Sequence, residues 1–382
     1  MSDVVKSDTT KQSLNRPWRE AATLVIASKN DTPCISPRTA TFDYRILLLQ
    51  RDSQSRSFAG ASVFPGGVVD PADFSPKWFQ LFSRLGIWRG DDFGWSHMKG
   101  KPRAGPIAAQ RDEGLLPNDV AFRICAIRET FEESGILLAV NEADVKYSIS
   151  RMKNKQFVPS TSYCDSMNVR AYDNEWRRRV HDDAYQFLEM CMYLDVYPNI
   201  WSLFELSTVL TPPITSRRYD TIFYICSLEK EPYAEVDQKE MIDLQWLTPA
   251  EAIRKHCRHE IQLPMPQISE CARLLDYRNI SEIQGYAVGQ MDQGMLAEVP
   301  APIKLKDAFL RVLPGDDCYP GEVKYLQMEE SEEENLKRCK NLNRYTYRSD
   351  GHFTLICNVT PLFGQRPPRD IDSRDWLDEA KL

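Results

Sequence analysis

The chain has 382 residues, 42% hydrophobic and 27% charged, enough for one large domain or two ordinary ones around a sizeable buried core. A net charge of −7 and a pI near 5.5 exclude the basic footprint of a duplex-binding protein, and an anionic substrate then needs local arginines or a metal ion. No apolar run reaches the length of a bilayer span, and the polar N-terminus, with Asp3 and Asp8, matches neither a secretory signal nor a mitochondrial presequence.

Residues 1–17 read as disordered. "ATLVIAS" (22–28) and "YRILLLQR" (44–51) are apolar, partly β-branched runs of strand length. "GASVFPGGVVDPAD" (60–73) begins as a strand and breaks into a glycine-rich turn. Residues 74–120 are rich in Trp, Phe, Gly and Pro without a steady period. "DVAFRICAIRETFEES" (119–134) spaces Phe122, Ile124, Cys125, Ile127 and Phe131 as a helix, with Asp119 as its expected N-cap and Gly135 as its stop.

A second helix is expected over about 172–193. Strands follow at 220–228 and 242–248, then a helix at 248–257 opened by a Thr248/Glu251 capping box. Another helix is expected within 263–277. From about 296 the composition turns acidic and Pro-containing, with "EESEEE" at 329–334 and a late strand at 352–361. There are ten cysteines and no C-x-x-C pair, so free thiols in a reducing compartment are expected. The five histidines show no ligand spacing. His256 and His259 fall near a helix end, where a cation is favoured.

The carboxylates of "RETFEESGI" (128–136) carry the chemistry. Glu129, Glu132 and Glu133 sit at i, i+3 and i+4, within one arc of a helix. Like charges there destabilise a helix by roughly 0.2–0.5 kcal/mol per pair, a sign that a hard divalent cation with oxygen ligands would reverse. A solvated face is the alternative reading of the triplet alone.

The same stretch resembles the second half of the box of the Nudix hydrolases, R-E-U-x-E-E-x-G-U, with U aliphatic. Arg128, Glu129, Glu132, Glu133, Gly135 and Ile136 match, and Thr130 departs from the aliphatic preference. The first half, G-x5-E, appears far upstream as Gly67 and Asp73, with Asp in place of Glu. The box is thus split by residues 74–120. That interruption is similar to one subgroup, the peroxisomal coenzyme A diphosphatases of the Nudix-19 type. "LLLQRDSQSRSFAGASVFPGG" (47–67) resembles the upstream coenzyme A motif through Leu47, Leu48, Arg51, Arg56, Gly60 and the FPGG of 64–67; it departs at Leu49, Asp52 and Ser55. "LPGDDCY" (313–319) is similar to the C-terminal region of that subgroup. The chain ends Ala380-Lys381-Leu382, a variant of the S-K-L peroxisomal signal.

The resemblance implies an α+β protein with the Nudix fold: an α/β/α sandwich with a mixed β-sheet, an insertion inside the box and a C-terminal extension. The expected organisation is a disordered segment 1–17, a Nudix domain 18–290 and an extension 291–382. It implies that Glu129, Glu132 and Glu133, with the Gly67 carbonyl, hold Mg²⁺ or Mn²⁺. Gly66 and Gly67 would let backbone approach the metal and diphosphate, and Arg128 would orient a helix glutamate. Glu240, six residues before Trp246, ranks first as the base that activates water, with Glu235 second. Arg51, Arg56, Gly60, Gly66, Arg217 and Arg218 are the expected substrate contacts.

The implied reaction is hydrolysis of coenzyme A and acyl-CoA esters to 3′,5′-ADP and 4′-(acyl)phosphopantetheine. The implied partner is the peroxisomal import receptor, in the peroxisomal matrix, with the cytosol as the fallback. Hydrolysis of a dinucleotide or nucleotide sugar, and a non-catalytic nucleotide-sensing module, are the alternatives. The aromatic residues of 74–120 suggest either a lid over the substrate or local packing. Sequence gives no oligomeric state.

Overall fold

The computed structural model describes residues 18–30, 42–55, 57–95, 103–112, 114–154, 166–167, 173–290, 293–361 and 365–377. The expectations for residues 1–17, Arg56 and Ala380–Leu382 lie outside these.

The N-terminal half begins with β1 (Arg19–Lys29), β2 (Tyr44–Arg51), β3 (Ser62–Val63) and β4 (Gly66–Val68). Strands β5 (Leu137–Val140), β6 (Ser166–Met167) and β7 (Tyr197–Pro198) form a small separate sheet. Then come β8 (Phe204–Leu210), β9 (Tyr219–Leu228), β10 (Met241–Leu247) and β11 (Ala297–Glu298). The principal sheet runs β10-β2-β1-β9-β8-β11, with β3 paired to β2 and β4 to β1. It is mixed: β1 and β9 are parallel over Arg19–Ser28, whereas β2 and β4 run antiparallel to β1.

Leu24, Val25, Ile26 and Ala27 of β1 are buried in succession. A strand buried on both sides must be covered on both faces, which is the sandwich arrangement. The helix Asn118–Ser134 packs on β1 and β4, and the helix Ile280–Gln290 packs on β8 and β9.

The helix Asn118–Ser134 starts one residue earlier than the spacing suggests, with Pro117 at the cap position. Asp119 is therefore not the cap. It lies inside the first turn and takes a two-pronged contact from Arg103 at 2.7 and 3.0 Å. The helix expected over 172–193 is two, Asp173–Asp182 and Tyr185–Leu194, broken where Asp183 and Ala184 turn the chain. Thr248 and Glu251 form the expected capping box of the helix Pro249–Cys257. His256 is in the last turn of that helix, yet burial lowers its pKa. Its Nδ1 accepts the Leu263 N–H at 3.2 Å. At His256, desolvation therefore opposes the charge that the helix end favours.

The segment 74–120 is built mostly of short turns and the helix Trp78–Phe82. Trp78, Phe82, Phe93 and Trp95 are buried. Phe93 packs on Phe82, Trp95 and Trp201, and Trp78 on Phe187. These side chains extend the main core, so the aromatic residues pack rather than cap; Trp88 alone of the tryptophans here stands exposed, at 70%.

The C-terminal region forms a second sheet from β12 (Ala301–Lys304), β13 (Ala308–Val312), β14 (Leu326–Gln327), β15 (Asn343–Arg348), β16 (Phe353–Cys357) and β17 (Ile371–Asp372), in the order β14-β12-β13-β15-β16-β17. Ala308, Leu310 and Val312 point to a small core of its own with Ile303, Leu305, Cys318 and Cys339. Tyr345, Phe353, Leu355 and Ile371 instead join the main core. The Tyr345 hydroxyl donates to the Met265 carbonyl at 3.0 Å, tying the sheet to the helix Met265–Leu274. The described cysteines are all unbonded thiols.

Candidate active site

The two halves of the split box meet in space. Residues Pro71–Phe74 form a single helical turn capped by Asp70, and Asp73 closes that cap by accepting the Asp70 N–H at 2.9 Å. The same Asp73 carboxylate takes both Nε and Nη2 of Arg128, each at 2.9 Å. Asp73 is 1% exposed and Arg128 4%, so this bidentate pair is fully desolvated. Asp73, which stands where the box has Glu, reaches Arg128 because the capped turn brings it there.

Arg128 spends its remaining amine on the helix glutamates. Nη1 lies 2.6 Å from Glu132 and 2.9 Å from Glu129. Glu132 turns its second oxygen toward His181 Nδ1, 3.6 Å away. Its backbone carbonyl accepts from Arg177 Nε at 2.7 Å. The structure thus brings Glu129 and Glu133 to the glycine turn and directs Glu132 to Arg128 and His181. Among the described residues, no three His, Cys, Asp or Glu side chains converge as a ready-made metal cluster.

The glycine turn is shaped around the two glutamates. Gly66 has φ +151° and donates its N–H to Glu133 Oε2 at 2.9 Å. Gly67 pairs with Ala22 of β1 and leaves no room between its α-carbon and the Glu129 carboxylate. Burial is the main cause that pushes Glu129 up to about 7, with Glu132 and Asp73 adding repulsion and Arg128 opposing. Burial first, then Glu129, hold Glu133 well above the usual carboxylate range. Two crowded carboxylates that stay raised although Arg128 lies beside Glu129 and Arg51 near Glu133 supply oxygen ligands that suit a hard divalent cation.

Glu129, Glu133, Gly66 and Gly67 open into a cavity of about 660 Å³. Arg51 crosses its wall, with Nη1 3.9 Å from Glu133 and Nη2 3.2 Å from Glu240. Glu240 lines the cavity and is half exposed. Glu235 does not line it; it accepts from the Tyr233 hydroxyl instead. Arg19 and Lys239 add positive charge to the wall.

Three expected substrate contacts fall differently. Gly60 sits in a surface turn at φ +69° with its N–H directed to the Asp52 carbonyl, outside the cavity walls. Arg218 is 3% exposed and stacks on the Trp18 ring at 5.0 Å. Packing on Trp18 engages it in this structure, and it does not line the cavity of the glutamates. Arg217 lines a neighbouring cavity and donates to Ser57 Oγ at 3.0 Å.

Sequence reading missed His181, Arg177, Tyr219 and Gln267. Gln267 lines the cavity, is 7% exposed, and its Oε1 has no hydrogen-bond partner. No motif marks these positions; only the folded chain brings them near the glutamates or the cavity.

The chain matches known proteins over most of its length. Residues 18–274 match the NUDT19 Nudix domain and residues 303–358 match the NUDT19 C-terminal domain. The acyl-coenzyme A diphosphatase NUDT19 of Xenopus laevis is 35% identical over 379 residues, covering 93% of this chain and 97% of that protein. The acyl-coenzyme A diphosphatase NUDT19 of Homo sapiens is 34% identical over 371 residues, covering 92% and 95%. Among solved structures, a NUDIX hydrolase from Alicyclobacillus acidocaldarius is similar at 17% identity with a TM-score of 0.48, covering 71% of this chain and 97% of that one.

Proposed function

The chain belongs to the NUDT19 Nudix family, and from that premise we propose that it hydrolyses the diphosphate of coenzyme A and acyl-CoA esters, releasing 3′,5′-ADP and 4′-(acyl)phosphopantetheine. The observation that carries this reading is the closure of a split Nudix box into one cavity, with Glu129, Glu133, Gly66 and Gly67 in its wall. The acyl-coenzyme A diphosphatase activity for which those relatives are named supplies the substrate class.

Glu129 and Glu133, which line the cavity, are the residues that would hold Mg²⁺ or Mn²⁺; Glu132, held by Arg128 and His181, would join them only by leaving those partners. Bound there, a divalent cation would offset the charge that gathers on the diphosphate as it is cleaved. Arg128 fixes the glutamate helix against the glycine turn through Asp73. Arg51 bridges Glu133 and Glu240 and presents a guanidinium fork to an anionic substrate. Glu240 lines the same cavity, half exposed, which supports it as the acid that would accept a proton from the attacking water.

Turnover of coenzyme A with Mg²⁺, wild type beside Glu133→Gln, tests the reading when products are separated by chromatography. 3′,5′-ADP from wild type alone supports it. Cleavage of a dinucleotide or nucleotide sugar but not coenzyme A discards the substrate, and no turnover of any diphosphate favours a sensing module. The terminal Ala380-Lys381-Leu382 supports a place in the peroxisomal matrix through the import receptor that reads such tripeptides. A fluorescent fusion that stays peroxisomal after those three residues are removed would sink that assignment.

A further inference from the structure

A second cavity, of about 900 Å³, adjoins the first. The two share walls at Ser57, Phe58, Val209, Thr211, Tyr219 and Pro266. We propose that this second cavity receives the acyl chain of the thioester substrate, so that the C-terminal sheet sets chain preference. The proposal rests on the acyl-CoA reading of the catalytic cavity and places the part of the substrate that reading leaves unassigned.

The alternation of β13 makes the case from the sheet. Ala308, Leu310 and Val312 fill the C-terminal core. The intervening Phe309 and Arg311 face the other way and line the second cavity. Tyr347, the direct cross-strand partner of Phe309, lines it too. The main core takes Tyr345, Phe353 and Leu355 of that same face, while Phe309, Arg311 and Tyr347 border the open space. Leu263, Met265 and Ile268 add an apolar stretch to the lining, beside the polar Thr215, Arg217 and Gln262. His256 in that lining spends its Nδ1 on a backbone N–H, and burial disfavours its charge. Such a lining suits methylene groups, each of which gains by leaving water.

The junction between the cavities is also suited to the substrate arm. The Ser57 and Tyr219 hydroxyls meet at 2.8 Å and Arg217 donates to Ser57, so a polar partition stands on the loop after β2. Phe58 beside it has φ +51° and is 54% exposed, an apolar side chain held out at the shared wall. Gln267, next to the shared Pro266, offers a buried unpartnered carbonyl oxygen to an arm that carries amide N–H groups. From the glycine turn on β4 to Val209 and Thr211 at the end of β8 the path crosses β1 and β9. Three inter-strand steps of about 4.8 Å give about 14 Å, comparable to the reach of a pantetheine arm with its two amides.

The test measures affinity without turnover. Dissociation constants for coenzyme A and decanoyl-CoA are determined on the full chain with divalent cations chelated, for wild type, Phe309→Asp and Tyr347→Ala. Wild type is expected to bind decanoyl-CoA at least tenfold more tightly than coenzyme A, and each variant is expected to shrink that ratio at least fivefold. Phe309→Ala gives the same reading should the aspartate variant not fold. Equal affinities in wild type, or folded variants with the wild-type ratio, overturn the proposal. Turnover is scored separately. Cleavage of both substrates without the affinity gap overturns the acyl site and leaves the hydrolase reading standing. The affinity gap without cleavage does the reverse.

Discussion

Gly67 and Glu129 compete for one space: a β-carbon at Gly67 would fall 2.3 Å from Glu129 Oε2. No L-residue with a side chain can occupy that position while Glu129 keeps its place. Gly67→Ala is therefore expected to displace the carboxylate by about an ångström and lower kcat by roughly 100-fold. Its melting temperature should stay close to wild type, because the displaced group borders a cavity. Unchanged kcat in the alanine variant would mean that Glu129 has no catalytic duty in this position.

The Asp73–Arg128 pair should matter to the fold as much as to the site. Both groups are buried and doubly bonded, so removing one leaves the other as an unpaired buried charge. Arg128→Ala is expected to destabilise the protein by about 3–5 kcal/mol in denaturant unfolding. A loss below about 1 kcal/mol would show that the pair is hydrated in solution.

A divalent cation should stabilise the folded chain. At 100 times its dissociation constant, Mg²⁺ or Mn²⁺ would add about 2.7 kcal/mol, visible as a rise in melting temperature that a chelator reverses. Glu133→Gln should lose most of that rise. Without cation it should be no less stable than wild type, since burial and Glu129 already disfavour the Glu133 charge. A wild type indifferent to both ions would remove the metal assignment.

Asp220 gives a pH signature away from the glutamates. Burial, and then the like charge of Glu20, push it from 3.8 up to about 6. Between those values the folded chain keeps a proton that the unfolded chain has released, so this group's contribution falls as pH rises from 3.8 to about 6. Asp220→Asn should melt higher than wild type above about pH 6, and the difference should vanish below 3.8. A constant difference across the range would show that the effect is not ionisation.

Trp78 separates packing from lid. It is 2% exposed, between Phe82 and Phe187, with Nε1 donating to the Ala72 carbonyl. Trp78→Ala is expected to cost about 3–5 kcal/mol of stability while KM for coenzyme A stays within about twofold of wild type. A raised KM without loss of stability would restore the lid.

Much of the architecture was legible because it is written in local pattern. The strands at 44–51 and 220–228 and the capped helix after Thr248 each carry their own period or cap, and each appears within a residue or two. The glutamate helix and its glycine stop were legible for the same reason. The division of labour among the three glutamates was not. Arg128 takes Glu132 from one turn away, as the resemblance implied, but His181 reaches the same carboxylate from a segment far along the chain. Polarity alone did not tell Arg217 from Arg218: the first lines the second cavity, whereas the second is buried against Trp18. The second cavity left no motif at all: its lining comes from β8, the loop after β2, the segment 262–268 and the C-terminal sheet.

The bond between Asp73 and Arg128 spans 55 positions of sequence, and that span makes the chemistry modular. Whatever lies between the two halves of the box, their register is fixed at the two anchor points and not by the chain that joins them. Closing a longer loop is cheap, about 0.6 kcal/mol for each doubling of its length. Surface insertions between the anchors can therefore be lengthened, shortened or exchanged over evolution while the glutamates keep their positions. An engineer could use the same freedom to seat a reporter or a binding module beside the active site without redesigning the catalyst.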